Sequence, residues 1–158
     1  MDYMSFDEIR NILPQSFPFI YIDVVEKFDE GVCIVTRKNV SGGEHYVQGH
    51  FPNRVIYPGV YIIEGMAQSA ILLHKLTFIN DFEQGDKVHV LSEVNAKFLH
   101  SVAPGDTIHY ECNAILLYSK TGMVEVKALV RDKLIAKAEL KFAVVENINS
   151  AAKDKVTI

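Results

Sequence analysis

The chain has 158 residues, 16 Lys and Arg against 20 Asp and Glu for a net charge of −4, and 49% hydrophobic residues. That length predicts one domain, residues 1–148, able to bury about two-thirds of its unfolded surface, and the composition excludes a disordered chain. A pI near 5.8 with no basic block excludes nucleic acid as the expected partner, because phosphate binding needs clustered Lys and Arg.

Ser5 followed by Glu8 has the spacing of a capping box, and Phe6, Ile9, Ile12 and Leu13 recur at helical intervals as far as Pro14, which predicts a short N-terminal helix. Residues Phe19 to Phe28 and Val32 to Val40 are rich in Ile, Val, Phe and Tyr. With Asp29-Glu30-Gly31 between them they read as two antiparallel strands. Pro58-Gly59 then opens a long segment without strand punctuation that continues towards Asn80. Pro is tolerated in a first helical turn because its missing N–H had no partner there. Ile62, Ile63, Met66, Ala67, Ala70, Ile71 and Leu73 cover nearly the whole circumference, so this helix belongs inside a wrapper of sheet. After the loop at 81–86, the runs Val88 to Leu99, Asp106 to Tyr118, Met123 to Arg131 and Leu134 to Val145 are strand-length, with short turns that predict an antiparallel meander. Residues 149–158 read as a frayed tail. The expected class is α+β: one helix enclosed by one antiparallel sheet, the arrangement of a hot-dog fold, with a second copy completing the burial.

Other readings fall away. The N-terminus is acidic and has no apolar core of a secretory signal. The stretch Tyr61 to Leu73, interrupted by Glu64, Gln68 and Ser69, is too short to span a membrane. Cys33 and Cys112 are far apart with no C-x-x-C, so they read as reduced residues of a cytoplasmic protein. Motifs for dinucleotides, nucleotides, serine hydrolysis, zinc proteolysis and calcium are absent, and the six histidines show no metal-ligand spacing.

Two features carry chemistry. Glu64 and, one turn later, Gln68 interrupt a helix otherwise built of Ile, Leu, Met and Ala. A carboxyl in such surroundings is pushed towards its neutral form, as a general acid requires; the alternative is a polar position at a solvent or subunit boundary. Gly49-His50-Phe51-Pro52 lies just ahead of the helix entry. A histidine there stands beside a helix N-terminus whose free N–H groups suit a developing oxyanion, though a lone loop histidine is also an ordinary surface residue. Base, amide donors and acid are concentrated between His50 and Glu64.

These same residues, Gly49-His-Phe-Pro52, Arg54, Pro58-Gly-Val60 and Ile63-Glu-Gly-Met-Ala-Gln68, resemble the signature of the FabZ-type 3-hydroxyacyl-acyl-carrier-protein dehydratases. Leu13-Pro14, Phe17-Pro-Phe19, Asp23, Ala96-Lys-Phe98, Pro104-Gly-Asp106 and Ala136-Lys-Ala-Glu-Leu140 extend the likeness from about Ile12 to Val145. The resemblance implies dehydration of a (3R)-3-hydroxyacyl thioester to a trans-2-enoyl thioester, in fatty-acid or related lipid or polyketide-like synthesis. It implies no cofactor or metal beyond the phosphopantetheine that carries the substrate. By it, His50 removes the C2 proton, Glu64 protonates the departing C3 hydroxyl, and the amides of Gly59 and Val60 polarise the thioester carbonyl; Gln68, at i, i+4 spacing, is placed to orient Glu64 or simply to satisfy a buried polar group. It further implies a homodimer with shared active sites, assembled in many members as a trimer of dimers, and an acidic acyl-carrier protein as partner. Arg54 and Lys97 are the candidates for its docking.

The chain departs from the family where members usually read Leu-Pro-His-Arg and Phe-Pro-Gly-Arg-Pro: it has Leu13-Pro-Gln-Ser16 and Phe51-Pro-Asn-Arg-Val55. His89 falls near a position where relatives often carry a gating aromatic, and reads as a surface or core residue. Two rival readings stand beside the dehydratase: a hot-dog acyl thioesterase, and a non-catalytic acyl-binding subunit.

Overall fold

Alternating burial along the C-terminal strands sets the frame on which everything else is mounted. The computed structural model describes residues 3–81 and 87–146; the expected tail at 149–158 and most of the expected loop at 81–86 lie outside them. Strands β1 (Val24–Asp29), β2 (Cys33–Asn39), β3 (Lys87–Phe98), β4 (Thr107–Tyr118), β5 (Thr121–Val130) and β6 (Lys133–Glu146) form one sheet in the order β1-β2-β4-β5-β6-β3. All neighbours are antiparallel. Ile108, Tyr110 and Cys112 of β4, Val124, Val126 and Ala128 of β5, and Ala136, Ala138 and Leu140 of β6 point inward and are buried, as a period of two requires.

Helix α1 (Phe6–Ile12) carries its expected box, with the Ser5 N–H donating to Glu8 at 2.7 Å. Helix α2 (Gly59–Thr77) is about 28 Å long at 1.5 Å per residue, and every residue from Gly65 to His74 is buried. It lies on the inner face of the sheet, with α1 packed on its other side. The hot-dog arrangement is therefore present, and its helix is apolar all round because it is covered all round. A polar pair crosses the interface: Ser69 Oγ donates to the Gly65 carbonyl, which leaves Thr36 Oγ1 to donate to Ser69 at 2.7 Å. At the C-terminal end, Lys75 Nζ reaches back to the Ile12 carbonyl at 2.8 Å and closes α1. No helix among the described residues is long and apolar enough to cross a membrane. Both cysteines are free.

Two expectations need correction. The first strand begins at Val24, not Phe19. Residues 19–21 are held instead by a side chain: Gln68 accepts from the Tyr21 N–H at 2.8 Å and donates to the Phe19 carbonyl at 3.0 Å, replacing ladder bonds. The meander covers only β4, β5 and β6. β3 crosses to the far edge and pairs with β6, because its end is pinned at the entry of α2: Phe98 packs on Gly59, and the Tyr57 N–H donates to the Val102 carbonyl at 2.7 Å. The expected turns survive. Gly31, at φ 70°, turns β1 into β2, while Arg131 and Asp132, at φ 50° and 61°, form the two-residue connection of β5 and β6.

α2 approaches the sheet closely only because residue 65 lacks a side chain. A Cβ there would stand 2.5 Å from the ring and hydroxyl of Tyr110, which is fully buried. Gly65→Ala is therefore expected to lower stability by about 2 kcal/mol, overpacking outweighing the gain of about 1 kcal/mol in helix propensity. Urea unfolding at fixed protein concentration checks this; an unchanged or raised midpoint would show that Tyr110 yields.

Candidate active site

The residues preceding α2 fold into two tight turns that aim one imidazole. A short 3-10 turn, His45–Gln48, ends at Gly49, and Phe51 and Arg54 exchange backbone hydrogen bonds of 3.0 and 3.1 Å. His50 sits between them, its peptide bond to Phe51 cis. The Ile56 N–H donates to the His50 carbonyl at 2.9 Å, and His50 Nδ1 lies 2.8 Å from the Ile56 carbonyl. A carbonyl only accepts, so Nδ1 carries the proton and Nε2 keeps its lone pair. Phe51 stacks on the ring at 4.1 Å and fixes its plane. His50 lines a cavity of about 330 Å³ with Gly59, Ile62, Phe98 and Leu99.

Gly59 opens α2 behind Pro58, which caps with no side-chain hydrogen bond. The Tyr61 and Ile62 N–H groups turn back to the Pro58 carbonyl at 3.0 and 3.3 Å. The amides of Gly59 and Val60, the first two of the helix, have no acceptor within it. Val60 points its side chain to solvent, 67% exposed, so its contribution is confined to the backbone.

Glu64 belongs to a second cavity, of about 120 Å³, lined also by Gln15, Ala67, Ile71, His89, Leu91 and Phe142 among others. Burial raises its carboxyl above the ordinary value, opposed by a hydrogen bond from Gln68. That bond runs from Gln68 Nε2 to Glu64 Oε1 at 2.9 Å. Gln68 is wholly buried, and its amide serves Glu64, Phe19 and Tyr21 together. Gln15 also donates to Oε1, at 3.4 Å.

Of the expected site residues, His50 and Gly59 meet in one cavity and Glu64 is bonded to Gln68, but within one chain the imidazole and the carboxyl line different cavities. Arg54 is exposed on the His50 turn. Lys97 faces away from α2, since its neighbour Phe98 packs on Gly59. It stands in register with Lys137 and, beyond it, Lys127, a row of three cations on the outer face. Sequence reasoning missed the pair His74 and His89. His74 Nε2 lies 2.8 Å from the Tyr118 carbonyl and His89 Nε2 lies 3.0 Å from His74 Nδ1. Burial lowers both imidazoles, His89 to about 3 with help from the charges of His74 and Lys75. Only a shared partner reveals them: residue 74 lies one helical face beyond Glu64 and residue 89 on a distant strand. Among the described residues no group of three or more His, Cys, Asp or Glu is placed to hold a metal.

Residues 13–139 match the model of the FabA-like domain family. The chain is 43% identical over 142 residues to a 3-hydroxyacyl-acyl-carrier-protein dehydratase FabZ of Campylobacter concisus, covering 88% of this chain and 96% of that one. It is 40% identical over 145 residues to the same enzyme of Protochlamydia amoebophila, covering 90% and 91%. Among solved structures it is similar to the dehydratase heterocomplex ApeI:P of Xenorhabdus doucetiae, with a TM-score of 0.76, 16% identity and coverage of 94% and 97%. It is also similar to a mutant thioesterase of Pseudomonas aeruginosa, with a TM-score of 0.66, 19% identity and coverage of 90% and 95%. These last two likenesses concern the fold.

Two measurements test the site as described. Gln68→Met strands the Tyr21 N–H and the Phe19 carbonyl and is expected to cost about 3 kcal/mol in urea unfolding; a loss under about 1 kcal/mol would show that water replaces the amide. Glu64 has its folded pKa raised above the unfolded value of about 4.3. The stability tied to its neutral form is therefore present below that pH and lost as pH rises through the folded pKa. Glu64→Gln cannot ionise, so its stability relative to the parent should increase as pH rises above about 4. A pH-independent difference would mean that Glu64 is solvated.

Proposed function

The chain belongs to the FabA-like family, among the FabZ-type 3-hydroxyacyl-acyl-carrier-protein dehydratases, and we propose that His50 and Glu64 are the base and acid of that reaction. The enzyme removes water from 3-hydroxyacyl groups on acyl-carrier protein in fatty-acid biosynthesis. The observation that carries the residue roles is the direction of the His50 hydrogen bond. With Nδ1–H spent on the Ile56 carbonyl, Nε2 is free to take the C2 proton of a (3R)-3-hydroxyacyl thioester, and the same carbonyl steadies the imidazolium that forms. The Gly59 and Val60 amides, unused by the helix, polarise the thioester carbonyl and so acidify C2. Burial raises the Glu64 carboxyl, which favours the protonated form that gives its proton to the C3 oxygen. The C2–H electron pair becomes the π bond, the C3–O pair leaves on oxygen, and water and a trans-2-enoyl thioester result. A proton passing from His50 to Glu64 through solvent resets the site. The balance needs no further group; phosphopantetheine arrives with the substrate.

β3 supports a site shared between two copies. Among the described residues it is an edge strand bonded on one side only, to β6, yet Val90, Leu91, Val94 and Phe98 on it, and Leu99 just after it, are exposed. An exposed apolar edge is a template for pairing. Val90 and Leu91 line the Glu64 cavity, and Phe98 and Leu99 line the His50 cavity. If β3 pairs antiparallel with its own copy about a two-fold axis near Val94, residue 90 of one chain meets residue 98 of the other. The Glu64 cavity of each chain then opens beside the His50 cavity of its partner. Carrier docking follows: Arg54 borders the His50 turn, and Lys97 leads the lysine row on the outer face, suited to an acidic partner.

His50→Ala and Glu64→Gln are each expected to reduce hydration of crotonyl carrier thioester by about 100-fold or more, followed as loss of enoyl absorbance. Mixed in equal amounts, the two should recover up to about a quarter of parental activity, because half the dimers are mixed and each carries one intact site. No recovery despite subunit exchange would overturn the shared site; full activity in either variant would overturn its role, and release of free thiol would indicate a thioesterase.

A further inference from the structure

The position where this chain leaves its family pattern lies against the acid. Gln15 follows α1, lines the Glu64 cavity and donates to Glu64 Oε1. Gln68 donates to that same oxygen. The Oε1 atom has two lone pairs, and two amide donors use both. A neutral carboxyl held in this way carries its proton on Oε2. At its other end Gln15 keeps a carbonyl oxygen, Oε1, that is buried and has no hydrogen-bond partner among the described residues. A buried acceptor left bare is costly, and one beside a reacting group suits a donor that arrives with the substrate.

We propose that Gln15 is a positioning residue of the dehydration: with Gln68 it confines the transferable proton to Glu64 Oε2, and its own Oε1 receives the hydrogen of the C3 hydroxyl and then of the departing water. This rests on Glu64 being the acid. The leaving oxygen needs one proton, supplied by Oε2, and brings one hydrogen of its own, which needs an acceptor. Gln15 Oε1 is that acceptor. The water formed has two hydrogens, one facing the Glu64 carboxylate and one facing Gln15, so it is held between them until it escapes. The same geometry serves the reverse reaction, in which a water so held is the one added to C3.

The test compares Gln15→Met, which keeps shape but removes donor and acceptor, with Gln15→His, which restores the residue usual in the family pattern and offers one of each. Folding is followed by thermal melting, and if the Met variant does not fold, Gln15→Glu, which lacks both N–H donors, takes its place. The Met variant is expected to lose about tenfold or more in kcat with KM changed by less than about threefold, while the His variant stays within about threefold of the parent in both. A Met variant within about twofold of the parent in kcat, a loss confined to KM, or a His variant as poor as the Met variant would each overturn the proposal. Glu64→Gln is assayed alongside: an active Glu64→Gln sinks the acid assignment itself, whereas an inactive one beside an active Gln15→Met sinks only the role of Gln15.

Discussion

One buried amide holds the molecule's function to its fold. Gln68 has no exposed surface, and an amide in that position must have its polar atoms matched or the helix would not be buried there. It meets that demand with three partners: the Tyr21 N–H, the Phe19 carbonyl and the Glu64 carboxyl. The first two fasten the irregular segment ahead of β1 across α2. The third places the carboxyl on the same fixture. The covering of the helix and the orientation of the acid are thus not separable, and any drift of residues 19–21 is transmitted to Glu64 through a single side chain.

Much of this was legible in the residues. α2 could be read because ten consecutive buried positions leave no polar stripe to confuse the period, and β4 to β6 because short turns force neighbours to pair. Glu64 stood out because a carboxyl on an apolar helix is costly without a use, and His50 because it lies beside a helix entry within fifteen residues of that carboxyl. What could not be read was set by partners distant in the chain. The start of β1 depended on a side chain 47 residues away. The crossing of β3 to the far edge depended on where Phe98 finds the one helix residue without a side chain at that contact, Gly59. Gln15 was visible as a departure from the family pattern, but its contact with Glu64, 49 residues on, was not.

The separation of His50 from Glu64 also follows from simple geometry. His50 sits ahead of the α2 N-terminus and Glu64 more than a turn inside it, on the face that Gln15 and the 13–22 segment cover. Moving the two together within one chain would require unwinding the first turn, and with it the amides that the helix leaves free. The proposed pairing of β3 with a second copy would satisfy both demands with the helix intact.

The two inner histidines carry a consequence of a different kind. The Tyr118 carbonyl can only receive, so His74 must direct its proton outward to it and accept on the other nitrogen, and His89 must donate to His74. The pair is polarised in one direction and electrically neutral. Burial and the neighbouring His74 and Lys75 hold His89 down to about 3, so its imidazole adds no charge to the floor of the Glu64 cavity near neutral pH. A cation at that place would have turned Glu64 into a permanent counter-ion. The wall beside Glu64 thus presents a neutral imidazole, that of His89, while the cation whose charge reaches it, Lys75, is spent on the Ile12 carbonyl.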